Sequence, residues 1–190
     1  MLIRKIFLFL LLLPLSTVAL ADYKIGVVAD VGMFTLEDPE TSGTHRGDYI
    51  GAAITGSYPL KWRGQTVLSG VGYLTGSASA SDSSIGQNYS GYYVFSRWQV
   101  RTPISRSLPE MYSFFGAKYM HTKHTDRHTV YEGYLKDSYD NRDVNALEFT
   151  MGASYKLKHE RGSSSIPSFY IDFPLSGKIM LFGLSYQYEF

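Results

Sequence analysis

The amino-acid sequence predicts an all-β fold, an eight-stranded antiparallel up-and-down transmembrane β-barrel. Three observations support this prediction. The segment 179–190 places a large apolar or aromatic residue at every even position from Met180 to Phe190, which is the period of a strand with two unlike faces. The chain begins with the features of an exported protein. After residue 21, no apolar run approaches the length of a membrane-spanning helix, so a membrane placement requires strands.

The N-terminal segment has the order of a secretory signal peptide. Arg4 and Lys5 precede an apolar run at 6–13, and Ala19 and Ala21 have the spacing of a cleavage site. The sequence therefore predicts a signal peptide at 1–21 and a barrel domain at 22–190. A retained membrane anchor is the alternative, and the shortness of the apolar run argues against it.

Composition excludes several classes of protein. The chain has no Cys, which removes disulfides, thiol nucleophiles and Cys–metal sites. Without Arg4 and Lys5, its 18 basic residues become 16 against 17 acidic residues, a net charge of −1. This balance gives no reason to expect a nucleic-acid partner. The 16 Tyr and 18 Gly suit a barrel with aromatic girdles and closely packed strands.

Eight strand candidates follow from alternation and from the turn-rich segments between them. The last strand and the sixth alternate most regularly, whereas the facing of the third is ambiguous. The candidate strands are 23–34, 48–58, 65–75, 89–100, 110 to about 120, 144–157, a seventh that follows a turn at 159–164 and ends at 173, and 179–190.

The connections at one end of the barrel are predicted to be long. The segments 35–47, 76–88 and 121–143 are polar, and the connections between them in sequence are short. Long outer loops and short periplasmic turns are typical of transmembrane barrels. A soluble lipocalin-like barrel, apolar inside and polar outside, is the main alternative.

The end of the chain resembles bacterial outer-membrane barrels of the OmpA/OmpX-like kind, whose last strand carries alternating aromatics and a terminal Phe. Here those residues are Tyr186, Tyr188 and Phe190. The resemblance implies location in the outer membrane of a Gram-negative cell and an ending recognised by the barrel-insertion machinery. It implies a non-enzymatic role without cofactors, either in envelope integrity or through surface loops. Those loops would contact outer-membrane lipid, lipopolysaccharide or a host-surface ligand.

Charged residues are predicted on the inner face of the barrel, four of each sign. Because eight strands enclose a lumen just wide enough for side chains to fill, we expect these charges to pair and plug the interior. A small ion pore is the alternative. The predicted lumen residues are Lys24, Asp30, Arg97, Lys118, Glu148, Lys156, Asp172 and Glu189.

The tripeptide Arg46-Gly47-Asp48 at the end of the first predicted loop matches an integrin-binding motif. It is a candidate adhesion site, although a tripeptide arises easily by chance and Asp48 also suits the start of a strand.

Three loop residues resemble part of the lipid A palmitoyltransferase of the outer membrane. His45 lies in the first loop, and Asp82 and Ser83 lie in the second. The resemblance implies an alternative function, a lipid A-modifying acyltransferase, with His as general base toward Ser. The expected amphipathic helix before the first strand is missing, and solvated loop residues are the simpler interpretation.

His121, His124 and His128 cluster in the third predicted loop, and imidazoles can bind a divalent metal. Their spacing matches no metal motif, and the neighbouring Lys123 opposes a cation. A solvated loop of mixed charge is the expected structure.

Overall fold

Eight antiparallel strands make up most of the described chain, and consecutive strands pair with each other. The computed structural model describes residues 23–37, 44–61, 64–79, 86–102, 110–160, 162–176 and 179–190. No helix within these ranges is long and apolar enough to cross a membrane. The strands are β1 (Lys24–Glu37), β2 (Thr44–Pro59), β3 (Gln65–Ser79), β4 (Gly86–Thr102), β5 (Glu110–Tyr131), β6 (Leu135–Lys158), β7 (Ser164–Ser176) and β8 (Ile179–Glu189). The predicted signal peptide at 1–21 lies outside these residues.

Pairing between the first and last strands closes the sheet into a barrel. Val27 lies opposite Tyr188 and Met33 lies opposite Phe182, so the apolar rows of β1 and β8 continue each other around the outer surface. A closed sheet has no free edge along its wall, and the backbone polar groups of the wall find partners within it. The predicted eight-stranded up-and-down barrel is confirmed.

The outer surface of the barrel is apolar, and its inner surface carries the charges. On β1, Ile25 and Val27 are 57% and 47% exposed, whereas Val28 and Asp30 are 6% and 5% exposed. A lipocalin-like soluble barrel would show the reverse distribution. An apolar outer surface is instead what lipid requires, so the transmembrane form of the fold is the one that the chain adopts.

The third strand now has a defined facing. Leu68 and Leu74 of β3 point inward and are 2% and 3% exposed, while Val71 and Tyr73 point outward at 55% and 46%. The sequence pattern was ambiguous because one part of the lumen is itself apolar, so both faces of β3 carry apolar residues.

A row of polar residues marks where the apolar outer surface ends. Thr75, Ser90, Lys123 and Asp143 are direct neighbours across β3 to β6 and point outward. One outward position further into the barrel wall, Tyr73 and Tyr92 form an edge-to-face pair with ring centroids 5.4 Å apart. Aromatic rings followed by polar side chains are typical of the membrane–water interface.

Three predicted loops are largely strand, and their predicted bounds are wrong. Strands occupy the described parts of 35–47 and 76–88, and β5 and β6 run through nearly all of 121–143. Only Glu132, Gly133 and Tyr134 separate β5 from β6, and Gly133 has a φ of 80°, which suits a tight turn. The long connection between these strands is therefore an extended hairpin. The pairing of β5 with β6 continues beyond the polar row, although the sequence of this part has no apolar alternation.

Candidate functional site: the barrel interior and the outer hairpin

Three tyrosines and one aspartate form a hydrogen-bonded chain across the middle of the lumen. The Asp30 carboxylate accepts a hydrogen bond of 2.5 Å from the Tyr93 hydroxyl and one of 3.4 Å from the Tyr170 hydroxyl. The hydroxyl oxygens of Tyr170 and Tyr49 are 2.6 Å apart. These residues belong to β1, β2, β4 and β7, so the chain cross-links strands on different sides of the barrel.

Lys118 binds two buried carboxylates at once. Its Nζ forms an ion pair with Asp172 and lies 3.3 Å from an Oε of Glu148. Lys118 is 3% exposed, and both carboxylate residues are 0% exposed. Because a buried charge without a partner costs several kcal/mol, this triad ties β5, β6 and β7 to one arrangement.

Arg97 is enclosed by aromatic rings. Its guanidinium carbon lies 4.7 Å from the ring centroids of Phe95 and Tyr170 and 5.0 Å from that of Phe114. Arg97 is 5% exposed. A guanidinium stacks on ring faces because it is planar and weakly hydrated. Arg97 therefore lies among these rings, whereas we expected every lumen charge to have an opposite charge as its contact.

A third charged cluster lies nearer the basal end, which we define as the end where β1 begins and β8 ends. Glu189 accepts hydrogen bonds of 2.5 Å from Lys156 and 2.8 Å from Ser57. Gln187 donates a further bond of 3.3 Å to the same carboxylate. The cluster joins β2, β6 and β8 beneath the middle of the lumen.

Lys24, the eighth predicted lumen charge, lies apart from these clusters. Its Nζ donates a hydrogen bond of 3.2 Å to the carbonyl oxygen of Gly162 in an exposed position at the basal end. Seven of the eight predicted charges therefore lie inside the barrel, and Lys24 lies at its mouth.

An apolar layer fills the lumen at the end opposite the basal end. Phe34 and Tyr89 form an edge-to-face pair with centroids 4.5 Å apart, and Tyr89 stacks on His124 at 5.6 Å. The cavity left among these side chains is about 10 Å³, room for at most one water molecule. The lining residues are Phe34, Tyr49, Leu74, Tyr89, Met120, Thr122, His124 and Leu181.

Sequence reasoning missed the lumen tyrosines because only charged residues were considered. Tyr49, Tyr93 and Tyr170 each sit at an inward position of their strand, in phase with its other inward residues. The role of these tyrosines could have been predicted from their inward positions, together with the fact that a buried carboxylate requires hydrogen-bond donors.

The adhesion tripeptide does not lie at a loop end, so that prediction of its placement is wrong. Arg46, Gly47 and Asp48 are strand residues of β2 and pair with both β1 and β3. The ladder extends further than predicted because both neighbouring strands continue past this point, so that Arg46 lies opposite Thr35 of β1 and Ser79 of β3. Arg46 and Asp48 point outward, and Gly47 points inward against the Phe34 ring.

The structure does not bring His121 and His124 together. His121 is exposed on the outer face of β5, whereas His124 is 1% exposed on the inner face. No group of three or more metal-ligating side chains occurs in the described part of the chain. The side chain of His128 lies outside the described residues.

The acyltransferase candidates also fall outside the described residues. Asp82 and Ser83 lie in the undescribed segment 80–85, and only the backbone of His45 is described, within β2.

The terminal aromatics lie at the basal rim. Tyr186 and Phe190 are 52% and 66% exposed on the outer face. The Tyr186 hydroxyl donates to Ser165 at 2.7 Å, and the Tyr188 hydroxyl donates to Ser163 at 2.9 Å. The rings thus face the lipid side while their hydroxyls bond to polar groups, as expected at an interface.

The β5–β6 hairpin extends well beyond its neighbours. We call residues 124–142, past the polar row, the outer hairpin. β4 pairs with β5 only as far as Asp126, and β7 pairs with β6 only from Leu147 onward. Residues 135–146 of β6 therefore have no strand on their second side among the described residues, a free edge of about 40 Å.

The chain matches no known family model and no curated protein sequence. Its fold is similar to that of a major outer membrane protein from Thermus thermophilus, with a TM-score of 0.56 and 13% identity over 88% of this chain and 99% of that one. It is also similar to Ail, the attachment invasion locus protein of Yersinia pestis, with a TM-score of 0.47 and 14% identity over 89% and 99%. Neisserial surface protein A has a TM-score of 0.48 and 12% identity over 87% and 95%. At this level of identity the likeness concerns the fold alone.

Fold and interior together define the class of protein. The chain forms a small transmembrane β-barrel of eight strands, with an apolar exterior and an interior of charged and aromatic side chains. The predicted resemblance to small outer-membrane barrels is confirmed for the fold.

Proposed function

We propose that this protein is an outer-membrane barrel with a plugged lumen that acts through surface interactions of its outer hairpin. In this proposal, residues 1–21 are removed on export, and the basal end faces the periplasm. The barrel-insertion machinery reads the terminal aromatics. The hairpin meets lipopolysaccharide or a surface ligand, and the protein has no catalytic role.

The filled interior supports a barrel that does not conduct. The apolar layer leaves about 10 Å³, and ion-paired clusters occupy the lumen below it. A hydrophobic constriction obstructs ions because they lose hydration there without replacement.

The outer hairpin is the observation that carries the surface role. Beyond the polar row it has Thr125 and Asn141 on its outer face, a β6 edge that no other described strand covers, and Tyr134 at its turn with 64% exposure. Exposed strand edges and exposed aromatic residues are both common elements of protein recognition. Among the described residues at this end, the lumen leaves a cavity of only about 10 Å³.

A conductance measurement tests the plug. Purified protein in planar bilayers should show no stable unitary current, whereas a Phe34→Ala/Tyr89→Ala variant, which opens the apolar layer, should show transient currents. A stable unitary current in the unaltered protein would refute the plugged lumen.

A hairpin deletion tests the surface role. Thr125 and Asn141 are direct partners whose side chains share a hydrogen bond of 3.1 Å, so an Asn-Gly turn can replace residues 126–140. Cells that display this variant should lose attachment to host-cell monolayers or lipopolysaccharide-coated surfaces. The heat-dependent gel shift of the barrel should remain as an internal control for folding. Equal attachment by both forms, at equal surface abundance, would refute the role of the hairpin.

A further inference from the structure

A cavity of about 490 Å³ opens at the basal end of the barrel. The inward alternation that fills the lumen continues to the strand ends, where the lumen widens. Lys24 of β1, Thr66 of β3, Tyr112 of β5, Lys156 of β6 and Ser164 of β7 all line this mouth. The volume is in the range of sites that hold a small molecule.

Positive charge dominates the basal cavity. Four lysines line it, Lys24, Lys61, Lys156 and Lys158, and Glu110 is the one carboxylate residue among the described lining residues. Hydroxyl and amide groups of Gln65, Thr66, Ser163 and Ser164 complete a lining that is rich in hydrogen-bond donors.

Two of the four lysines have carboxylate partners and two do not. Lys156 binds Glu189, and Lys158 donates a bond of 2.8 Å to Glu110. Among the described residues, Lys24 bonds to the carbonyl oxygen of Gly162 and to no carboxylate, and Lys61 forms no ion pair. The cavity therefore holds two ammonium groups whose charge no carboxylate of the described lining balances.

The Glu110 carboxylate is ionised and accepts hydrogen bonds from its neighbours. Burial raises the pKa of its carboxyl, but hydrogen bonds from Lys158 and Tyr112 outweigh this effect, so the pKa lies below its usual range. Glu110 is the first residue of β5 and lies at the polar basal rim of the barrel. The next residues inward from this rim include Ser113, whose hydroxyl oxygen lies 3.0 Å from that of Thr102. A second anion entering the cavity would compete with Glu110 for Lys158.

We propose that the basal cavity is a binding site for an anionic ligand that carries carboxylate or phosphate groups. Lys24 and Lys61 provide the free charge, and the surrounding hydroxyl groups provide further donors. The cavity ends at the Lys156–Glu189 cluster, so the ligand binds there and does not pass through. Two sources share this chemistry, a soluble anion on the basal side and the headgroup of an anionic phospholipid in the adjacent leaflet.

Calorimetric titration with citrate tests the site. The full-length barrel is placed in phosphatidylcholine nanodiscs at low ionic strength, where exposed charges are least screened. Saturable binding at one site is expected. The variant Lys24→Gln/Lys61→Gln should weaken binding by about fivefold or more, the combined effect of two partly exposed ion pairs. Glu110→Gln should strengthen binding because it releases Lys158.

Lys123→Gln is the matched control, since it removes the same charge from an exposed position at the opposite end of the barrel. Its affinity for citrate should equal that of the unaltered protein. Each variant is checked for folding by the heat-dependent gel shift. Absence of saturable binding, or equal weakening by Lys123→Gln and by the double variant, would overturn the proposal.

Nanodiscs of phosphatidylglycerol distinguish the two sources. If headgroups occupy the cavity, citrate binding by the unaltered protein disappears in these discs. If the cavity takes a soluble anion, binding persists there and still depends on Lys24 and Lys61. Either result supports the anion site and identifies its source. The result does not depend on the role of the outer hairpin, which lies at the other end.

Discussion

Replacing Lys118 by Met should destabilise the barrel far more than removing a lysine charge from its exposed surface. The substitution keeps the length of the side chain but removes the ammonium group that binds Asp172 and Glu148. Both carboxylates are 0% exposed, so no water replaces the lost partner. Breaking a buried ion pair from one side typically costs about 3–5 kcal/mol. The presence of two carboxylates around one lysine places the expected loss in the upper part of that range.

The free energy of unfolding in urea, measured in lipid vesicles by tryptophan fluorescence and gel shift, checks this expectation. Lys123→Met is the matched control, because Lys123 lies on the same strand and is exposed. A triple variant that adds Asp172→Asn and Glu148→Gln should recover about half of the loss or more, since no buried charge is then left unpaired. A loss for Lys118→Met no larger than that for Lys123→Met would refute the reasoning. A triple variant less stable than Lys118→Met would also refute it.

Two further substitutions test the contacts of the lumen with the same unfolding measurement. Tyr93→Phe removes the 2.5 Å hydrogen bond to Asp30 and should cost about 1.5–3 kcal/mol, as bonds to charged groups do. Tyr92→Phe, on the neighbouring exposed position, should cost little, and equal losses would contradict the role of the bond. Gly183→Ala places a Cβ atom 2.5 Å from the Tyr49 hydroxyl and close to the Tyr170 ring, and should cost about 1–3 kcal/mol through overpacking. Gly51→Ala, whose nearest neighbouring atom would be 3.2 Å away, should cost clearly less.

The sequence predicted the barrel wall well because alternation there has a direct physical cause. Every second residue of β1 and β8 contacts lipid, so residues such as Val27 and Leu184 must be apolar while Asp30 and Gln187 face inward. The predicted bounds of β8 differ from the structure by one residue. The same alternation predicts that Lys118 and Glu148 face inward, and both are buried in the lumen.

Alternation of apolar and polar residues does not predict a strand where neither face of the strand contacts lipid. The sequence of the outer hairpin has no regular alternation of apolar and polar residues, so it resembles a loop although its backbone forms a regular ladder. Thr125, Thr129 and Val130 favour strand structure, and this β-branched content is the signal from which a strand could have been predicted. Pairing with β6 supplies the remaining order, and such a long-range partner cannot be read from a single segment.

The alternation of a strand also does not show which side chain an inward residue contacts. Arg97 and Lys118 both point into the lumen, yet Lys118 takes the carboxylates and Arg97 takes the rings of Phe95 and Tyr170. The ring faces suit a planar guanidinium, and the small ammonium fits between two carboxylates. This choice depends on β7, which brings Tyr170 to Arg97 and Asp172 to Lys118 from a distant part of the sequence.

Amide hydrogen exchange distinguishes the extended hairpin from a disordered loop, and it also reports on the free edge. In β6, the amides that point toward β5 are bonded, and between residues 135 and 146 those that point away have no acceptor in any described strand. Protection should therefore alternate residue by residue along 136–146 and become continuous from about 149 to 154, where β7 pairs with the second side.

Three outcomes of this experiment have different meanings for the function. Alternating protection in detergent micelles means that the ladder exists and its edge is open to a partner strand. Uniformly fast exchange along 136–146 would refute the extended hairpin. Uniform protection along the same residues would show that something already covers the edge, either a second copy of the chain or another segment. The hairpin could then accept a ligand only after that cover is displaced, and attachment would fall with rising protein concentration if the cover is a second copy but not if it is another segment of the same chain.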